Sequence, residues 1–151
     1  MADNKQIALK IVRQYQTTPA KVWQAWVSPE ALRQWMCPGE VVCLEAQAEV
    51  RVGGRYRILM RSPDGEHHDV SGTYREILPN RKLVFSWAWK STPERESLVT
   101  VELRAIDTGT QMTLTHERFF DEAARDHHAQ GWEGCLAKLV DFLGGELQQR
   151  S

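Results

Sequence analysis

The chain has 151 residues and a formal net charge of -1 at pH 7, with 42% hydrophobic and 26% charged residues. That length fits one domain with a core of its own, and the composition excludes a disordered or collagen-like chain. Nineteen Lys and Arg against twenty Asp and Glu lack the basic excess on which general nucleic-acid binding depends.

Ile7, Leu9, Ile11 and Tyr15 recur at period two and predict a half-buried strand over 7–15. Thr18-Pro19 opens a short helix whose apolar side is Val22, Trp23, Ala25 and Trp26. Ser28-Pro29 ends it and caps a second short helix carrying Ala31, Leu32 and Trp35, stopped by Pro38-Gly39. From Val41 to Phe119 the pattern predicts six strands, at 41–50, 55–61, 69–78, 82–90, 96–106 and 110–119. Turn signals separate them: Gly53-Gly54, Pro63-Asp64-Gly65, Pro79-Asn80, Ser91-Thr92-Pro93 and Asp107-Thr108-Gly109. Such short connections make a meander of hairpins. From Asp121 to about Leu143 the period turns helical through Ala124, His128, Trp132, Cys135, Leu136, Leu139 and Leu143, with Gly144-Gly145 as its terminator and a polar tail after it.

Strand, two short helices, six strands and one long C-terminal helix describe an α+β architecture. A seven-stranded curved antiparallel sheet has an apolar face to cover, and only the last helix is long enough to lie across it. A curved sheet wrapped around one helix leaves room for a cavity, the expected functional site. Cys37, Cys43 and Cys135 are odd in number and contain no C-x-x-C pair, so they read as reduced thiols. With no secretory leader or membrane-spanning run in the sequence, the expected location is cytoplasmic. A homodimer is compatible with a domain of this size.

Several segments carry a family resemblance: Pro19-Ala20-Lys21-Val22-Trp23-Gln24-Ala25-Trp26, Pro29-Glu30 through Trp35, Arg51-Val52-Gly53-Gly54-Arg55-Tyr56-Arg57, and Gly72-Thr73-Tyr74-Arg75-Glu76-Ile77. Gly109-Thr110 before Leu114-Thr115-His116, and His128-Ala129-Gln130-Gly131-Trp132, complete the set. In this order the chain resembles the activator of heat-shock protein 90 ATPase-like family, within the START-like (SRPBCC, birch-allergen-like) superfamily of helix-grip folds. The resemblance implies one START-like domain over residues 1–151. The superfamily hosts lipid and polyketide carriers, cyclases, hydrolases and co-chaperone domains, so the resemblance speaks to fold more than to activity. The eukaryotic co-chaperones carry a separate N-terminal docking domain, whereas this chain begins directly with the helix-grip segment, which leaves a chaperone partner unproven.

Alternation places Tyr56, Ile58 and Met60 on one face, with Val70, Gly72 and Tyr74, Leu83, Phe85, Trp87 and Trp89, and Val99, Val101 and Leu103 also directed inward. Arg55, Arg57 and Arg61 fall on the other face and read as a solvated exterior. His116 continues the apolar face of Met112 and Leu114, and His128 precedes Trp132 by one helical turn. Polar tips among apolar neighbours orient a largely apolar ligand. The expected ligand contacts are Trp35, Tyr56, Tyr74, Phe85, Trp87, His116, His128 and Trp132. Glu117 lies beside His116 but alternates to the opposite face, so an acid–base pair would need a bulge. Glu66-His67-His68-Asp69 flanks a hairpin turn where neighbouring side chains diverge, and it is read as solvated, not metal-binding. No H-E-x-x-H, G-x-S-x-G, P-loop or G-x-G-x-x-G occurs, so neither a catalytic residue, a metal nor a cofactor is assigned. The expected function is binding of a small apolar or aromatic molecule; the alternatives are a cyclase- or hydrolase-like enzyme acting on a bound hydrophobic substrate and a co-chaperone-like interaction module. Six tryptophans, against an average of about one per hundred residues, fall on the elements that would enclose one cavity.

Overall fold

A computed structural model describes residues 7–143. The elements follow in the order β1 (Leu9–Tyr15), α1 (Pro19–Val27), α2 (Pro29–Trp35), β2 (Val42–Ala48), β3 (Arg55–Arg61), β4 (His67–Leu78), β5 (Lys82–Trp89), β6 (Ser97–Ile106), β7 (Gly109–Glu117) and α3 (Glu122–Phe142). The strands form one antiparallel sheet in the order β1-β7-β6-β5-β4-β3-β2, curled into a half-barrel. The six later strands pair with their sequence neighbours, and β1 returns to the far edge beside β7, with Leu9 opposite His116. This is the seven-stranded helix-grip arrangement expected from the sequence, with α3 across the concave face.

Local chemistry sets the short helices. The Thr18 hydroxyl accepts from the Lys21 N–H at 3.2 Å, and Pro19 occupies the first helical position, where an amide N–H has no helical partner. Ser28 closes α1 through its own N–H to the Gln24 carbonyl and opens α2 by accepting from the Ala31 N–H at 3.3 Å. One residue thus turns the chain by roughly a helix end, and both helices direct tryptophans into the core.

Several strand boundaries shift by one or two residues from the sequence reading, and two of the shifts have a local cause. β4 begins at His67, two residues before the expected 69, because Arg61↔His67 and Met60↔His68 extend the hairpin to its turn. β7 stops at Glu117 instead of 119, since Arg118 takes a positive φ of 68° and turns the chain toward α3. Phe119 is then buried against the ring of His116 at 4.2 Å between centroids. The Gly144-Gly145 terminator lies outside the described residues.

Alternation on β3 to β7 holds as read: Tyr56, Ile58, Met60, Val70, Tyr74, Leu83, Phe85, Trp87, Val99, Val101 and Leu103 are buried. From α3, Trp132, Cys135, Leu136 and Leu139 meet them. On the outer face Arg57 is not free, because its guanidinium reaches Asp69 at 2.8 Å and Glu45 at 3.2 Å across three neighbouring strands. No described helix is long and apolar enough to cross a membrane.

Tyr56 shows how tightly the curl is drawn. It lies opposite Gly72 on the neighbouring strand, and its hydroxyl reaches beyond β4 to donate to the Ser86 carbonyl of β5 at 2.6 Å. The path is open because residue 72 is glycine: a Cβ there would stand 1.9 Å from the Ser86 oxygen and 2.8 Å from the Tyr56 ring. Gly72→Ala is therefore expected to cost about 2 kcal/mol or more through overpacking against backbone that cannot yield, and to lower the midpoint of thermal unfolding by several degrees; an unchanged midpoint would contradict this reading of the sheet.

Candidate functional site

Under the N-terminal half of α3 the packing is incomplete, leaving a cavity of about 390 Å³. Helix α3 supplies His127, His128, Gly131, Trp132 and Cys135 to its wall, and β5 supplies Trp87 and Trp89. Met60 and His68, cross-strand partners on β3 and β4, form its floor, and Met36 and Pro38 enter from the connection after α2. No Lys, Arg, Asp or Glu lines it. Two glycines shape it in opposite ways. At Gly134 an added Cβ would meet Pro38 at 2.8 Å, so the α2–β2 connection lies directly on the helix; at Gly131 it would meet nothing within 4 Å, so the helix presents bare backbone to the hollow.

Tryptophan rings run through this region as a connected series. Trp35 and Trp26 meet edge to face at 4.7 Å, Trp26 lies 6.0 Å from Trp132, Trp132 lies 5.2 Å from Trp87, and Trp87 meets Trp89 edge to face at 5.7 Å. These separations fall within the range of favourable aromatic pairs. Trp23 is buried on α1 outside this series.

The two histidines have defined roles. At His116 the Trp132 indole N–H donates to Nδ1 at 3.0 Å, and Nε2 lies 2.7 Å from the Ser97 hydroxyl, which donates in turn to the Trp87 carbonyl at 3.2 Å. Nδ1 is thus an acceptor, and the proton resides on Nε2. At His128 the Trp89 indole N–H donates to Nε2 at 2.9 Å, which places the proton on Nδ1, 2.7 Å from the Ala124 carbonyl. Both rings are neutral with both nitrogens engaged. Burial pushes His116 well below the usual histidine range, helped by the neighbouring His128; burial likewise lowers His128, against the Ala124 carbonyl bond that favours its proton.

Of the residues expected from the sequence to contact ligand, Trp87, His128 and Trp132 line the cavity. His116 stands directly behind Trp132, fully buried. Trp35, Tyr56, Tyr74 and Phe85 lie in the packed layer beyond; Trp35 donates to the Ala25 carbonyl at 2.9 Å, and Tyr56, Tyr74 and Phe85 pack on one another at 5.3–6.2 Å. The void among the last three is only about 10 Å³, about the volume that admits one water. Sequence reasoning did not select Met60, Trp89 or Cys135 as contacts, although it directed all three inward. His68 was legible from its register with Met60, whereas Met36, Pro38 and His127 carried no local signal.

The Glu66–Asp69 stretch diverges as expected: His68 packs edge to face on Trp89 while Asp69 turns outward to Arg57, and no metal-binding group of three ligands occurs among the described residues. Glu117 remains on the opposite side of β7 from His116, as alternation required. A second pocket of about 270 Å³ shares Trp87, Trp89, His127 and His128 with the first and ends at Arg95, whose guanidinium covers the Phe120 ring at 3.9 Å. A larger depression, about 830 Å³, is an open groove on the outer face that includes Arg55, Arg57, Asp69 and Lys90. It is the weaker candidate despite its size, because Arg57 and Asp69 already neutralise each other there.

The histidines also make stability depend on pH. Below about pH 6.5 the unfolded chain takes up protons at positions 116 and 128 that the folded protein refuses, so stability falls with pH until the depressed folded values are reached, with a slope of up to about 1.4 kcal/mol per unit for each group. His116→Gln, which keeps an acceptor for Trp132 but cannot be protonated, is expected to lose less stability between pH 7 and pH 5 than the wild type in urea unfolding. Equal losses would show that His116 is not the group refusing the proton.

The model of the family described as Activator of Hsp90 ATPase homolog 1-like protein matches residues 16–144. Among solved structures, a protein from Chromobacterium violaceum aligns with a TM-score of 0.84 at 22% identity, covering 91% of this chain and 96% of that one. An uncharacterised protein from Rhizobium leguminosarum aligns with a TM-score of 0.80 at 34% identity, covering 91% and 93% respectively. A protein from Silicibacter pomeroyi named for the same family aligns with a TM-score of 0.80 at 26% identity, covering 92% of this chain and 99% of that one. No curated protein matches the chain. With the family model covering most of its length and this fold shared by its neighbours, the chain belongs to the Activator of Hsp90 ATPase homolog 1-like family.

Proposed function

We propose that the protein binds a small, uncharged, largely aromatic molecule in the cavity beneath α3. The observation that carries this reading is the wall itself: about 390 Å³ bounded by tryptophan, methionine and histidine side chains, without a Lys, Arg, Asp or Glu. A charged ligand would lose its hydration there with no counter-ion to replace it, whereas a flat apolar one would replace water by ring contacts. One polar feature is unspent. The indole N–H of Trp87 is buried and has no hydrogen-bond partner, so a ligand oxygen able to reach it would relieve an unsatisfied donor worth about 1–3 kcal/mol. Trp87, Trp132 and His128 are the proposed direct contacts, His116 positions Trp132 from behind, and Trp35, Tyr56, Tyr74 and Phe85 back the wall.

This geometry favours binding over catalysis. Each ring nitrogen of His116 and His128 is already engaged within the protein, so proton transfer to a ligand would first break a buried hydrogen bond.

Gly131 offers a test that does not disturb the fold, since a side chain there enters open space. Gly131→Leu is expected to fold with a midpoint near that of the wild type, because the residue gains helix propensity of about 1 kcal/mol, and to fill the cavity. With 2-naphthol as probe, calorimetry and tryptophan emission are expected to report saturable binding to the wild type and at least about tenfold weaker binding to Gly131→Leu. Equal affinity in the two proteins would remove the cavity from consideration.

A further inference from the structure

The second pocket differs from the cavity beside it in carrying a cation at its rim. Two backbone turns, from the Thr92 N–H to the Trp89 carbonyl and from the Arg95 N–H to the Thr92 carbonyl, both at 3.0 Å, fold the connection between β5 and β6 and set Arg95 at the pocket's edge. After β7, the positive φ of Arg118 separates two successive rings: Phe119 is buried against His116, whereas Phe120 stays 47% exposed under the Arg95 guanidinium. An aromatic face holds the cation there without offering a hydrogen-bond acceptor of its own, so the fork of N–H donors is not spent on Phe120. The nearby acids are committed elsewhere. Glu96 pairs with Arg75 at 3.7 Å, and the Asp121 carboxylate caps α3 by accepting from the Ala124 N–H at 2.8 Å, where the positive end of the helix offsets its charge. Among the described residues Arg95 forms no ion pair.

We propose that this pocket binds a small aromatic carboxylate, its ring against the Trp89 and Phe119 walls and its carboxylate paired with Arg95 at the rim. At about 270 Å³ the pocket is smaller than the sites that take drug-sized ligands, which fits one or two rings. A planar carboxylate accepts two parallel N–H bonds from a guanidinium, a match that a phenol or an ester does not make. The site is separate from the one read for a neutral ligand, although the two hollows share Trp87, Trp89, His127 and His128. In that common wall the Trp89–His128 hydrogen bond at 2.9 Å ties strand to helix. Charge divides the ligands between them: an acid leaving water finds no cation in the first cavity and finds Arg95 in the second.

Calorimetry on the full chain with 2-naphthoate, the acid counterpart of 2-naphthol, tests the assignment. Saturable binding to the wild type is expected, with an affinity that falls as salt is raised, because the rim is exposed. Arg95→Leu is expected to bind 2-naphthoate at least about tenfold more weakly. Its thermal midpoint is expected to stay near that of the wild type, since residue 95 is exposed, and its affinity for 2-naphthol to be unchanged, since residue 95 does not line the first cavity. Arg95→Lys, which keeps the charge but loses the fork, is expected to fall between the two. Gly131→Leu fills the first cavity alone and is expected to bind 2-naphthoate as the wild type does. The proposal is overturned by an absence of saturable 2-naphthoate binding or by equal affinity in Arg95→Leu. A loss in Gly131→Leu as large as that in Arg95→Leu would also overturn it, by placing the acid in the first cavity.

Discussion

The rest of the site depends on one buried contact between helix α3 and the sheet, the indole of Trp132 against the imidazole of His116. Ring burial supplies most of the energy: a tryptophan removes about 200 Å² from water, several kcal/mol in gross terms, against about 1 kcal/mol net for its hydrogen bond. The bond chooses the arrangement that burial alone leaves open. It sets the His116 tautomer, which directs the remaining proton to Ser97 and through it to the Trp87 carbonyl. Helix, β7, β6 and β5 are thereby joined in one polar run inside an otherwise apolar interior.

The cavity follows from where that run is placed. C-terminal to Trp132, the leucines of α3 pack on the sheet; N-terminal to it, Gly131 presents no side chain and His128 is drawn to its own helix and to Trp89. The space left between them is bounded by groups whose polar atoms are mostly spent on one another. This makes the wall neutral, and it leaves the Trp87 N–H without a partner.

The fold was largely legible because its signals are local. Period-two alternation identified the faces of β3 to β7, and Ser28 marked both a helix end and a helix start through the hydroxyl that caps α2. The site was legible in part. Trp87, His128 and Trp132 follow from facing periodicities of a strand and a helix, and His68 could have been added from the register of a hairpin drawn two residues longer. Met36 and Pro38 could not be read: their position depends on a connection pressed onto α3 at Gly134, a contact between residues nearly a hundred positions apart. Nor does alternation separate an aromatic on the cavity wall from one in the packed layer behind it. Tyr56 and Trp87 both point inward, but the distinction comes from Tyr56 crossing Gly72 to reach Ser86 and from the vacancy opposite Gly131.

The strand order has a consequence for how the molecule is made. Strands β2 to β7 meet partners adjacent in sequence, so their hairpins close over short loops, whereas β1 finds β7 only across the whole meander, Leu9 against His116 and Tyr15 against Thr110. Synthesis runs in the opposite sense to this closure: of these seven strands, the earliest made is the last to acquire a neighbour. Until β7 follows, the nascent chain carries Ile11 and Tyr15 without the surface that buries them, and the sheet grows toward its own beginning.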